Sequence, residues 1–243
     1  MTELSKARRA AVTALLAAGL ALALTPAAQA DTPAGAPEPV ATTDLAGARS
    51  AVQDPAVLDR VGHFFARKGV PPTKQLTIGA AEEARAASEA APRLAGDTVP
   101  VYTLDAGFVA GTPGAPVAKA GFTASKVVAA DGQTASVWTV RQGDTWRVVN
   151  IASGGDESDY AAKAADSGGG TAFREPQVNA WYVLRDGRVL PLDEEARRSV
   201  GAGGMALAAY QRLVHQRYGD KLPGSAYDRA GEGGGYRLDA AAE

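Results

Sequence analysis

The chain contains no cysteine and only two histidines, His63 and His215, among its 243 residues. The absence of thiols excludes disulfide frameworks, thiolate metal sites, iron–sulfur clusters and cysteine nucleophiles. Two histidines also fall short of the three or four ligands that a zinc site needs. We therefore expect a protein that holds no metal and no other cofactor.

An excess of charge of either sign is also missing. The chain carries 25 Lys and Arg against 27 Asp and Glu, a formal net charge of −2. A nucleic-acid-binding protein normally needs a surplus of cationic side chains to displace the counterions of the phosphates. We therefore expect no nucleic-acid partner.

One apolar run stands near the start of the chain and has the features of an export signal. Three basic residues precede the apolar stretch 10–24, and the small-x-small triplet 28–30 follows it. This pattern predicts a Sec-type secretory signal peptide over residues 1–30, cleaved after Ala30. The stretch is shorter than the roughly 20 apolar residues of a membrane span, so we expect a secreted protein with no membrane attachment after cleavage.

The remaining chain divides into three parts. Residues 31–53 are rich in proline and lack aromatic side chains, which predicts a disordered lead-in. Residues 54–222 contain the helical and strand patterns of a single α+β domain. Residues 223–243 are dominated by small residues and are expected to form a loosely held C-terminal tail.

The domain reads as helices, a meander of strands, a helix, a hairpin and further helices. Asp131–Gly132 and Asp186–Gly187 are strong hairpin signals. Between them, a three-residue loop over 142–144 would place Trp138 and Trp146 on one apolar face. The order predicts one antiparallel sheet with helices packed mainly on one face.

The hairpin formed by 137–140 and 146–151 is similar to hairpins of cystatin-like and nuclear-transport-factor-2-like sheets. The likeness covers some fifteen residues of a general pattern. It implies a fold class of that kind and carries no functional residue.

The sequence contains no complete motif of nucleophilic catalysis. The segment 166–169 is similar to the nucleophile region of trypsin-like serine proteases, but Ala165 stands where that pattern has glycine. His63 lies in a helical pattern rather than on a barrel loop, and His215 is expected to be a solvated surface residue. No serine hydrolase is therefore expected.

Acidic residues cluster at the start of the helix that follows Gly155. We interpret Asp156 as its N-cap and Asp159 as an acid reaching back from the third position. Calcium binding by Asp156, Glu157 and Asp159 is the alternative, but no loop of EF-hand spacing follows. Asp193 is expected to cap a later short helix, and Asp54 is expected to cap the helix that starts at Pro55.

Candidate binding residues combine arginine, tyrosine and acidic side chains, the composition that anchors of protein interfaces favour. They lie in one short segment and in the C-terminal tail: Arg174, Glu175, Tyr227, Arg229, Tyr236 and Arg237.

We interpret the chain as a secreted, non-enzymatic module that binds an extracellular protein or polymer, as an inhibitor, accessory or scaffold. A secreted hydrolase is one alternative, because carboxylate pairs leave no sequence motif and Asp156, Glu157, Glu175 and Asp193 are present. A small-ligand carrier is another, with a pocket between sheet and helices lined by Trp181 and Tyr182.

Overall fold

The computed structural model describes residues 35–71, 73–74 and 78–229, all of which belong to the compact unit Thr32–Glu243. The expected signal peptide, residues 1–30, lies outside the described residues. The helices are α1 (Thr42–Val52), α2 (Pro55–Ala66), α3 (Ala80–Glu89), α4 (Ala106–Ala110), α5 (Asp156–Asp166), α6 (Glu194–Val200), α7 (Leu207–Tyr218) and α8 (Ala226–Arg229). The strands are β1 (Arg93–Leu104), β2 (Ala118–Val128), β3 (Thr134–Gln142), β4 (Thr145–Ser153), β5 (Thr171–Glu175), β6 (Ala180–Arg185), β7 (Arg188–Pro191) and β8 (Met205–Ala206).

All eight strands form one sheet with the order β4-β3-β2-β1-β5-β6-β7-β8. Each neighbouring pair is antiparallel except β1 and β5, where Tyr102 faces Phe173 in a parallel register. The sheet is therefore two meanders joined side by side, and α5 makes the crossover between them. The expected mixed α+β class is confirmed, with a sheet that is mostly antiparallel.

Helices pack on both faces of this sheet. On β6, Tyr182 and Val183 point to opposite sides because side chains alternate along a strand. Tyr182 belongs to the core cluster that contains Tyr210 of α7, whereas Val183 packs with Ala164 of α5. A third cluster joins α1 and α2 to β2 and β3 on the α7 side. Helices were expected mainly on one face, and the structure places α5 on the opposite face.

The connection between β3 and β4 differs from the expected three-residue loop. Gln142 pairs with Thr145, which leaves a two-residue loop in which Gly143 has a φ of 60°. Farther along, Trp138 pairs with Asn150 and Thr139 with Val148, so Val149 is an extra residue in a β-bulge.

Trp138 and Trp146 consequently lie on opposite faces, and the expected common apolar face is wrong. Trp146 is paired with Arg141, three positions along β3 from Trp138, so their side chains alternate to different sides. Trp138 stacks on Phe122 with ring centroids 4.3 Å apart. Shortening the loop from three residues to two exchanges the faces to which the side chains of the following strand point. This difference of one residue explains why the expected common face is wrong.

The segment 31–53 also departs from expectation in the part that the structure describes. Residues Thr42–Val52 form α1, in which Ala48 and Val52 are completely buried. The exposed Arg141 forms an ion pair with Asp44 of this helix at 2.6 Å. The predicted disordered lead-in is corrected here, because a few small apolar side chains suffice when an existing sheet supplies the rest of the core.

Two of the three expected helix caps are present. Asp54 accepts a hydrogen bond from the N–H of Ala56 at 2.8 Å, and Asp193 accepts one from Ala196 at 2.7 Å. The third expectation is wrong, because α5 begins after Gly155 without a side-chain cap. Asp159 is not turned back to the helix start but binds Lys126 of β2 at 2.8 Å.

Candidate functional site

The structure separates the two candidate binding residues that are adjacent in sequence. Arg174 and Glu175 follow one another on β5 and point to opposite faces. The guanidinium of Arg174 lies 5.9 Å from the ring centroid of Trp138 and 4.0 Å from a carboxylate oxygen of Glu157. Arg174 is thus part of the packing on the α5 side.

Glu175 is completely buried on the α7 side and accepts hydrogen bonds from four side chains. Its Oε2 accepts from the hydroxyls of Tyr182 at 2.8 Å and Tyr210 at 3.0 Å. Its Oε1 accepts from the hydroxyl of Tyr218 at 2.6 Å and from the guanidinium of Arg217 at 3.2 Å. A carboxylate offers about four lone-pair directions, so these donors occupy its accepting capacity.

This network has the character of a structural carboxylate. Burial without partners would strongly disfavour the charged form, and four donors together with the positive charge of Arg217 offset that cost. The same donors leave no oxygen free to remove a proton from a substrate or to attack a sugar carbon. Glu175 is therefore held for stability rather than presented for chemistry.

The tyrosines of the network are held in the neutral form. Burial raises the pKa of Tyr182, Tyr210 and Tyr218 far above the ordinary value of 10.0. The negative charge of Glu175, to which each hydroxyl donates, raises the pKa of all three further.

The remaining candidates lie in the tail. Tyr227 and Arg229 belong to the short helix α8, where the guanidinium of Arg229 donates to the carbonyl of Gly224 at 2.5 Å. Tyr236 and Arg237 lie outside the described residues, as does the tail from residue 230 onward. Among the described candidates, Arg229 contacts the tail itself, whereas Arg174 contacts Trp138 and Glu157.

A feature that the sequence analysis did not single out is a groove between α2 and the edge strand β4. We call it the α2–β4 groove. It consists of two adjoining clefts of about 640 and 330 Å³ that share Arg60 and Val148. The larger cleft is lined mainly by apolar side chains, among them Phe64, Val70, Pro71, Val149 and Ile151.

The α2–β4 groove exposes apolar surface that is unusual for this chain. Val149, the extra residue of the bulge, is 50% exposed, and the other large aliphatic side chain with such exposure among the described residues is Val178 at 39%. Val178 lies on a single 3₁₀ turn, Pro176–Val178, away from any of the main clefts. Scattered apolar residues are normal on surfaces, whereas one that borders an apolar cleft marks a contact surface.

Two arginines border the smaller cleft. Arg60 of α2 and Arg147 of β4 are both exposed and both line it. Within residues 35–71, 73–74 and 78–229, neither forms an ion pair with a carboxylate. The cleft therefore presents two cationic groups with which no carboxylate of the described residues forms an ion pair, and Asp54 is the acidic residue that also lines it.

A third cationic side chain at the groove is already engaged. Arg67 donates to Glu83 at 2.9 Å and also to the carbonyls of Val70 and Pro71. The ring of His63 donates to the same carboxylate at 3.0 Å. The hydrogen bond from His63 and the charge of Arg67 lower the pKa of Glu83 below its ordinary value of 4.5. These contacts fix α3 to the end of α2 and hold one wall of the groove in place.

Sequence reasoning missed the groove because it depends on the register of β4. The alternation of Trp146, Val148 and Asn150 gives no sign of a bulge, and the bulge leaves Val149 unpaired and brings Ile151 to the face of Val148. The available signal was the run of adjacent valines at 148–149 beside a helix that carries Arg60 and His63.

The described residues define a mixed α+β domain with a mostly antiparallel sheet and an open groove at one sheet edge. Comparison of the chain with protein-family models, curated proteins and solved structures finds no match. The similarity to cystatin-like and nuclear-transport-factor-2-like hairpins is accordingly supported by no structural neighbour. The part of the chain that the structure describes contains no helix with the length and apolarity of a membrane span. Nor does that part bring together three or more His, Asp or Glu side chains in the manner of a metal site.

Proposed function

We propose that the protein is a secreted, non-enzymatic module that binds another extracellular macromolecule, as an inhibitor, accessory or scaffold, through the α2–β4 groove. The observation that carries the proposal is the groove itself. An apolar floor that includes the exposed Val149 adjoins two arginines without acidic partners among the described residues.

The composition of the groove supports this use. Interfaces combine apolar and aromatic anchors with arginine, whose guanidinium forms hydrogen bonds and stacks while its stem buries apolar area. The α2–β4 groove combines Phe64 and Val149 with Arg60 and Arg147 in this way. Its length along β4, from Trp146 to Ile151, corresponds to about 20 Å of extended chain.

The carboxylate-hydrolase alternative loses support at two of the four carboxylates that were available for it, Glu175 and Asp193. Glu175 is occupied by four donors. Asp193 accepts from the N–H of Trp181 with one oxygen and from that of Ala196 with the other. Catalytic carboxylates need an oxygen directed at substrate in a cleft, and these two are directed at the protein.

The small-ligand alternative depended on a pocket at Trp181 and Tyr182. Trp181 is 6% exposed and stacks on Tyr160 at 5.1 Å, and Tyr182 is completely buried within the Glu175 network. A core that is filled at these positions favours a binding surface over an internal pocket.

A capture experiment with matched variants tests the proposal. The mature protein is immobilised and exposed to culture medium from cells that produce it, alongside the variants Val149→Asp and Val178→Asp. We expect a retained macromolecule that is lost with Val149→Asp and kept with Val178→Asp, because only the first residue borders the groove. Equal capture by both variants would remove the groove from the function, and hydrolysis of the captured material would remove the non-enzymatic reading.

A further inference from the structure

We infer that the α2–β4 groove binds an extended, acidic peptide segment of its partner, added as a further strand to the open edge of β4. This inference rests on the proposed function and specifies the chemistry of the partner.

The first argument is the hydrogen-bonding capacity of the sheet edge. β4 is the terminal strand of the sheet and has β3 as its strand neighbour. An edge strand of nine residues presents a row of backbone groups that a further strand can use. Recognition by strand addition obtains affinity from these backbone hydrogen bonds and specificity from pockets that receive alternate side chains.

The second argument is the position of the clefts along that edge. Both clefts are lined by consecutive residues of β4, the smaller by 146–148 and the larger by 148–151. A peptide that follows β4 would therefore pass one cleft and then the other with its side chains. The larger cleft would take apolar side chains, since Phe64, Val149 and Ile151 line it.

The third argument is charge complementarity at the smaller cleft. Arg60 and Arg147 lie on its two walls, one on the helix and one on the strand. Asp54 also lines this cleft, and its Oδ1 accepts from the N–H of Ala56 at the start of α2. Its negative charge remains, so the two arginines leave the lining of the cleft with one net positive charge. A peptide carboxylate seated between the guanidiniums would neutralise them with charge-assisted hydrogen bonds.

The β-bulge disfavours the pairing of β4 with strands of arbitrary sequence. Bulges interrupt the regular ladder of an edge and are one device that keeps edges from joining to one another. At β4 the extra residue is Val149, whose side chain faces the groove. A partner strand must therefore bring an apolar side chain to this point as well as an acid to the arginines, which favours a specific peptide over a second copy of the chain.

The experiment selects a displayed library of random peptides of about 12 residues, slightly longer than β4, against the mature protein. We expect enriched sequences that combine Asp or Glu with β-branched or aromatic residues a few positions away. The affinity of a synthetic selected peptide should fall about tenfold or more with Arg60→Glu combined with Arg147→Glu, and it should be unchanged with Val178→Asp. Replacement of the acids of the peptide by lysine should restore binding to the double variant.

Three results would overturn the inference. The first is that the selected peptides lack acidic residues, and the second is that the variant with Arg60→Glu and Arg147→Glu binds them with unchanged affinity. The third is that the mature protein sediments as a dimer and that Val149→Asp dissociates this dimer. Circular dichroism of each variant confirms that the fold is retained. If the culture-medium capture depends on Val149 while no acidic peptide is selected, the proposed binding function stands and the strand-addition inference falls.

Discussion

Glu175 is a completely buried carboxylate that accepts hydrogen bonds from Tyr182, Tyr210, Tyr218 and Arg217. A charge in this position is tolerated only while its partners are complete. Its donors come from β6 and α7, so the network joins the sheet to the helix that follows it in the chain.

Replacement of Glu175 by glutamine should destabilise the protein by about 3–5 kcal/mol, because the amide NH₂ group meets hydroxyl and guanidinium donors in a buried site. Urea unfolding followed by tryptophan fluorescence measures the loss. The control is Glu195→Gln on α6, a partly exposed residue paired with Arg198, which should cost less than about 0.5 kcal/mol. Similar values for the two variants would show that the network is not needed.

The tyrosines of the network make a separate prediction at alkaline pH. Because their folded pKa values lie above the unfolded value of 10.0, their stabilising contribution is complete below pH 10 and is lost as the pH rises above it. We expect phenolate absorbance from these residues to appear only together with unfolding, and Tyr210→Phe to reduce the amplitude of that step. Titration of the network tyrosines near pH 10 in the folded protein would contradict their burial.

At the level of helices and strands, local signals predicted most of what they directly control. Asp54 and Asp193 cap the helices expected of them, and Asp186–Gly187 forms the expected hairpin turn, with Val183 opposite Leu190. These features depend on residues that are close to one another in the chain, and local sequence patterns indicate such interactions.

Features that depend on distant partners could not be predicted in this way. The parallel pairing of β1 with β5 joins segments some seventy residues apart, and the order of α1 depends on a sheet built later in the chain. The register of β4 depends on a bulge that no local pattern marks. Glu175 was expected to bind a partner because it lies beside Arg174 in a segment of interface-like composition. Its contacts with Tyr210 and Tyr218 result from the packing of α7 against the sheet, which the sequence does not indicate.

The caps provide a test at the level of the element. Asp193→Ala should cost about 2–3 kcal/mol, because it removes the cap of α6 and also leaves the N–H of Trp181 without its acceptor. Asp156→Ala should cost only about 0.3–1 kcal/mol, since Gly155 is the N-cap of α5 and Asp156 contributes only its charge near the helix start. Thermal unfolding of both variants gives the order, and a larger loss for Asp156→Ala would restore it as the cap.

For the whole molecule, the proposed export would set the compartment in which a partner is met. We propose cleavage after Ala30, which leaves 22 basic and 26 acidic side chains and a net charge of −4. The secreted protein should therefore begin at Asp31, as read by N-terminal sequencing and intact mass. Secreted material that retains Met1 would contradict the export route and with it the extracellular setting of the binding function.

The protein as a whole carries a negative net charge, whereas the groove bordered by Arg60 and Arg147 is locally positive. Long-range repulsion of acidic partners is weak at physiological salt, since the Debye length is about 8 Å, while contacts within the groove are screened less. The arginines can therefore select an acidic segment at close range although the molecule as a whole is acidic.

The central claim is that the α2–β4 groove is the surface at which the partner binds. The most direct measurement places a photoreactive phenylalanine analogue at position 149 or, as the matched control, at position 178, and irradiates each protein in culture medium from the cells that produce it. The account predicts a covalent adduct of defined higher mass from position 149 and none from position 178. Adducts from both positions, or from position 178 alone, would contradict it.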